Sequence, residues 1–152
     1  MENPGEPVDP ARKTWMSLLA TAPGARLLQL WQAYGGQPDF NWLRPPEIGG
    51  VMVRGRMGGT GAPFNLGEMT VTRCSVVLND GTVGHGYVQG RDKPRAQAAA
   101  VIDALMQTSA APAVRRAILE PLTTARQASR QDRAAKAAAT KVEFFTMVRG
   151  ED

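Results

Sequence analysis

The sequence holds one cysteine, Cys74, and one histidine, His85. It can therefore close no internal disulfide and assemble no Cys/His metal cluster. A carboxylate-only metal site is left without support. No stretch approaches the ~18 consecutive apolar residues of a membrane span. The N-terminus, MENPGEPVDP, is acidic and proline-rich where a secretory leader is basic and then apolar. A cytoplasmic protein with no membrane partner is the expectation. Dense basic patches are also lacking: the net charge is +4 and the cations are spread along the chain. Nucleic acid is accordingly not expected as a partner. Most of the cations are arginine, which suits two-pronged contact with carboxylate or phosphate. No internal repeat is visible.

What is present is a chain of 152 residues, enough to bury one core without staples. The expected organisation is a single domain over 1–152: a disordered arm at 1–8, an α+β core at 9–122, and an alanine-rich helix with an apolar docking tail at 123–152. Asp9-Pro10 reads as an N-cap followed by proline at the first helical position. Ala11, Trp15, Leu18, Leu19 and Ala22 then recur at helical spacing. Pro23 opens a second helix with Leu27, Leu30, Trp31 and Tyr34 on one face, ended by Gly35-Gly36. The pair forms a helical hairpin over a small antiparallel sheet.

Residues 48–56 and 69–78 read as strands, the second rich in β-branched side chains. Asn79-Asp80-Gly81 turns it into a partner at 82–89. A two-residue loop at Asp80-Gly81 would set Leu78 opposite Val83, Val76 opposite His85 and Cys74 opposite Tyr87. Gly84 and Gly86 would then face Val77 and Ser75, leaving shallow surface for a helix or another chain. Pro94 starts a helix with Ala98, Val101, Ile102, Leu105 and Met106 on one stripe. Pro112 starts another, which Pro121 must kink or split.

Residues 123–141 are alanine-rich and carry Arg126, Arg130, Arg133, Lys136 and Lys141, with almost no large apolar group. Helix propensity is high there, but little area is available to bury. Val142, Phe144, Phe145, Met147 and Val148, with Arg149, follow at once. Two readings stand for this extended apolar tail: an edge strand folded back on the domain, or a segment docked on another subunit. The polar helix before it holds the tail away from the core and favours docking.

Two loops carry candidate chemistry. RMGGTGAPF places Arg56 before Gly58, Gly59, Thr60 and Gly61, which permits an anion cradle. Its flanks read as strands on both sides, and the spacing meets neither GxxxxGK[ST] nor GxGxxG, so an ordinary bend is the other reading. QGRDK sets Arg91 and Lys93 about Asp92, either as a second anion clamp or as a capped helix start with solvated charges. If the loops lie at neighbouring strand ends, Arg56, Arg91 and Lys93 converge on a phosphate-sized target. His85 has no carboxylate or nucleophile at suggestive spacing, Thr60 and Ser75 lack a base, and Cys74 reads as a small apolar residue. No catalytic residue is assigned.

Taken in order, RKTWMSLLA, RMGGTGAPF, LNDGTVGHGYVQGRDK, IDALMQ and VEFFTMVRG resemble the PhnG family, the G subunit of the bacterial carbon-phosphorus lyase machinery. The resemblance runs from about Arg12 to Gly150. It departs at the proline-rich arm and at Pro63 and Pro94 beside the motifs. It implies an accessory subunit of phosphonate catabolism that works with the H, I and L subunits as a ribose 1-methylphosphonate 5-triphosphate synthase. There an alkylphosphonate displaces adenine from ATP, the substrate of the assembly; no cofactor is implied for this chain by itself. The I subunit is associated with the nucleosidase chemistry and is the expected direct contact, and G, H, I and J form a core complex. A stand-alone module for an anionic ligand or nucleic acid is the alternative.

Overall fold

The computed structural model describes residues 9–56, 61 and 63–149. The expected arm at 1–8 lies outside them, as do Gly58, Gly59 and Thr60. The architecture is α+β: a three-stranded antiparallel sheet in the order β1-β2-β3, with helices before and after it. Helix α1 is Pro10–Thr21, capped as its sequence dictates, with the Asp9 carboxylate accepting from the Ala11 N–H at 2.9 Å. Helix α2, Gly24–Tyr34, ends on Gly35 at φ 71°, a left-handed cap that glycine takes without steric cost. Trp15, Leu18, Leu19, Leu27 and Trp31 are buried, whereas Ala11, expected on the inner stripe, is exposed and its neighbour Arg12 is buried instead.

Strand β1 is longer than its expected half. It runs Phe40–Arg56, through Pro45-Pro46. Proline cannot donate to a ladder, but β1 is an edge strand, and the pairing steps from Arg44↔Ser75 to Glu47↔Arg73 across an irregularity that leaves both prolines unpaired. Strand β2, Pro63–Leu78, extends in the same way, and β3 is Val83–Gln89.

The β2–β3 register departs by one residue from the expected pairing. Val77 pairs with Val83, Val76 with Gly84, Ser75 with His85 and Cys74 with Gly86. The loop holds three residues rather than two. The Gly81 N–H donates to the Leu78 carbonyl at 3.0 Å, the Leu78 N–H to the Thr82 carbonyl at 2.9 Å, and Gly81 takes φ 89°. A turn followed by a left-handed glycine is the usual three-residue hairpin solution, and the Asp80 side chain, accepting from the Thr82 N–H, holds it in place.

This slip puts the small residues where the core needs them. Gly84 and Gly86 share the inner face with Cys74 and Val76, and helix α3, Lys93–Leu105, presses directly on them. A Cβ at Gly84 would stand 2.0 Å from the Ala100 carbonyl oxygen, and one at Gly86 2.1 Å from that of Ala96. The shallow surface is therefore occupied by a helix of the same chain. Far from showing one stripe, α3 is buried nearly all round, from Ala96 through Leu105 apart from the exposed Gln97, because the sheet lies on one side and α1 and α2 on the other. Its alanines permit the close approach.

Helix α4, Ala111–Val114, passes through a π turn at Arg115–Leu119 into α5, Glu120–Arg149. The π turn answers Pro121. Without an N–H, and with a ring that crowds the carbonyl four residues back, proline fits where the helix widens; here Glu120 donates to Arg115, five residues earlier. The chain is deflected without being cut. Among the described side chains of α5, Leu122 is the last buried one, and residues 127–142 are all exposed.

Candidate functional site

The two candidate loops lie toward the same end of the sheet but do not meet. Arg56 pairs with Pro63 at the far end of β1 and β2, whereas Gln89 pairs with Val71 and the Gly90 N–H donates to Thr70. The seven steps from Pro63 to Thr70 span ~23 Å of extended strand. Arg91 and Lys93 stand together at the start of α3, both exposed. The three-cation convergence on one phosphate is therefore not formed within this chain: β1 and β2 carry the glycine-rich loop well past the end of β3. Of that loop, Gly61 lies in a bend.

QGRDK is organised as a capped helix start. The Asp92 carboxylate accepts from the Arg95 N–H at 3.0 Å, and the Thr72 hydroxyl, 2.7 Å from the Gly90 carbonyl, accepts from the Asp92 N–H. The cation built into the fold here is Arg95. Its guanidinium donates to the Ala22 carbonyl at 3.0 Å and to that of Gln89, tying the α1–α2 corner to the end of β3. Nothing in the sequence separated Arg95 from Arg91 and Lys93 except its place one turn after a cap, on the side where α3 meets α1 and α2.

A second polar centre was absent from the sequence reading. The Asp103 carboxylate, fully buried on α3, accepts from Arg12 Nε at 3.2 Å, Arg12 Nη2 at 2.9 Å, Trp15 Nε1 at 2.7 Å and the His85 backbone N–H at 2.9 Å. A buried carboxylate is tolerated when paired and fully hydrogen-bonded, and this one joins α1, α3 and the free edge of β3. Every partner is a donor from this chain, so the arrangement holds the fold together.

The register places Ser75 beside His85, with Oγ and Nδ1 2.8 Å apart. Ser75 thus has the potential base that its sequence neighbours denied it, and His85 neighbours a hydroxyl rather than Val76. Both are half-buried on the sheet face opposite α3. His85 and Tyr87 also border a groove of about 650 Å³ against Lys13, Met16 and Ala20 of α1. Among the described residues no carboxylate hydrogen-bonds the imidazole, so the pair lacks there the third group that orients a base in nucleophilic catalysis. Cys74 lies against α3, where burial pushes its thiol up to about 11, an effect only partly offset by a hydrogen bond to the Gly86 backbone. Such a thiol is inert at neutral pH. Among the described residues, no group of three His, Cys, Asp or Glu side chains could hold a metal, and no helix is long and apolar enough to cross a membrane.

At the C-terminal end, α5 carries the chain away from the core as helix to Arg149, so the edge-strand reading is not taken up. Val142 is 64% exposed. The side chains of Phe144, Phe145, Met147, Val148 and Arg149 lie outside the described residues.

Fold and surfaces together define a small α+β protein that leaves a long polar helix and a stretch of apolar strand outside its own core. Residues 10–150 match the family model for phosphonate metabolism protein PhnG, and the chain belongs to that family. It is 48% identical over 141 residues to the alpha-D-ribose 1-methylphosphonate 5-triphosphate synthase subunit PhnG of Rhizobium meliloti (strain 1021), with 93% of this chain and 90% of that protein covered.

Proposed function

We propose that this chain is an accessory subunit of a ribose 1-methylphosphonate 5-triphosphate synthase. It would work in the cytoplasm with the H, I and L subunits while methylphosphonate displaces adenine from ATP, and within a core that also holds J. The observation that carries this reading is α5: a 30-residue helix whose residues 127–142 are exposed throughout. A polar stretch of helix, 127–142, that buries nothing in its own chain gains its stability and purpose by bridging to another. The kinship to a protein named as a synthase subunit supports the same reading.

In this account Val142, Phe144, Phe145, Met147, Val148 and Arg149 form the docking segment, most directly onto the I subunit. Arg56 with Gly58, Gly59, Thr60 and Gly61 is one anion contact, and Arg91 with Lys93 is another. Because the two loops lie ~23 Å apart along β2, each would meet its own anion, on substrate or on a neighbouring subunit. Deleting residues 142–152 and co-purifying with the other subunits tests the docking role. Assembly should be lost while the truncated chain melts as before, and unchanged assembly contradicts the assignment.

A further inference from the structure

Strand β3 stops at Gln89, opposite Val71, and beyond that point β1 and β2 continue alone as a two-stranded ribbon to Arg56 and Pro63. Cross-strand partners share a face, so the register sorts the ribbon's side chains. Val51, Val53, Phe64 and Met69 lie on the face opposite α3. Leu66 joins them at a bulge, for its side chain is what a Cβ on Gly55 would strike, at 2.9 Å. Met52 lies on the other face, beside Glu68. Leu66 is 62% exposed and Met52 55%. A bare two-stranded hairpin is marginal in water, and a projecting ribbon with apolar side chains on both faces is the kind of surface another protein covers.

We infer that this ribbon, residues 50–56 and 63–70, is a second docking arm, inserted into an apolar cleft of another subunit of the synthase. The inference rests on the subunit reading above and is independent of the C-terminal tail. Three features select a cleft over other occupants. Apolar groups on both faces need cover on both sides, which a flat lipid surface does not give. Pairing with a second copy along the free edge of β1 would leave both faces wet. The two faces of a ribbon ~23 Å long and ~10 Å wide offer ~460 Å², more than half of one partner's share of a standard interface, ~800 Å². The bulge at Leu66 re-aims an apolar side chain outward at the middle of the arm, where an anchor residue would sit.

The test uses the full-length chain carrying Phe64→Ser and Leu66→Glu, co-expressed with the other subunits. Both positions are exposed, so the isolated variant should keep the melting temperature of the wild type. Its apparent affinity for the partner subunits should fall at least tenfold with the C-terminal tail intact. Amide exchange supplies a second readout: arm amides of the wild type, fast in the isolated chain, should slow at least tenfold in the complex. Equal assembly of wild type and variant, or arm amides as fast in the complex as alone, overturns the arm and leaves the subunit reading standing. Wild type that fails to assemble overturns both. Self-association of the isolated chain that the variant abolishes, or wild-type binding to anionic phospholipid vesicles that the variant loses, would give the ribbon a different occupant and overturn the inference.

Discussion

Arg12 and Asp103 stand 91 residues apart in the chain and meet as a buried ion pair, Nη2 to Oδ2 at 2.9 Å. With Trp15 Nε1 and the His85 N–H on the same carboxylate, the pair fixes α1 and the edge of β3 to the central helix. Replacing Asp103 with Ala leaves a guanidinium and an indole N–H buried without their acceptor. Removal of one member of such a pair costs about 3–5 kcal/mol. The Arg12→Met, Asp103→Leu double variant should cost less than Asp103→Ala, and urea unfolding of the three proteins checks the order.

The contact between α3 and β3 has no slack. With an added Cβ 2.0 Å from the Ala100 carbonyl oxygen or 2.1 Å from that of Ala96, Gly84→Ala and Gly86→Ala force α3 off the sheet. Each should lose about 3 kcal/mol, the upper part of the usual range for overpacking. Gly49→Ala, on β1 with nothing within 4 Å of the new Cβ, serves as the control and should stay within about 0.5 kcal/mol by chemical denaturation.

Cys74 makes a prediction in pH. Its folded pKa is raised from 9.0 to about 11, so its contribution to stability is complete below pH 9 and is lost as pH climbs toward 11, where the folded thiol also ionises. At pH 8 the thiolate fraction in the folded state is about a hundredfold below that of the unfolded chain. Iodoacetamide labelling should be slower by at least that factor until denaturant is added. Rapid labelling of the native protein would show the thiol to be open.

Much of the fold is written locally. Asp9 and Asp92 cap the helices that follow them, Gly35 ends α2, and the alternation of β2 with the Asn79-Asp80-Gly81 turn makes the hairpin. What escaped local reading is what distance decides. A third residue in the hairpin loop moved every β2–β3 partner by one, which no periodicity reveals because both registers keep alternation. Nothing beside Arg12 in the chain marks it as buried, because its partner Asp103 arrives from across the fold. The first part of β1, through Pro45-Pro46, was not expected as strand because edge position and pairing irregularities are properties of the sheet. The candidate anion loops were legible as motifs, but their separation followed from how far β1 and β2 outrun β3.

The anion contacts proposed for the loops predict a division between assembly and turnover. Arg56→Ala should leave the purified complex intact and reduce its turnover about tenfold, and Arg91→Ala with Lys93→Ala should behave similarly. A complex that falls apart on Arg56→Ala would make that residue part of an interface instead.

The central claim is that this chain serves the synthase as a partner. Its most direct test is adenine release from ATP in the presence of methylphosphonate, measured with the H, I and L subunits alone, with this chain alone, and with all together. The account predicts release only from the full set. Release that proceeds equally well without this chain would contradict it.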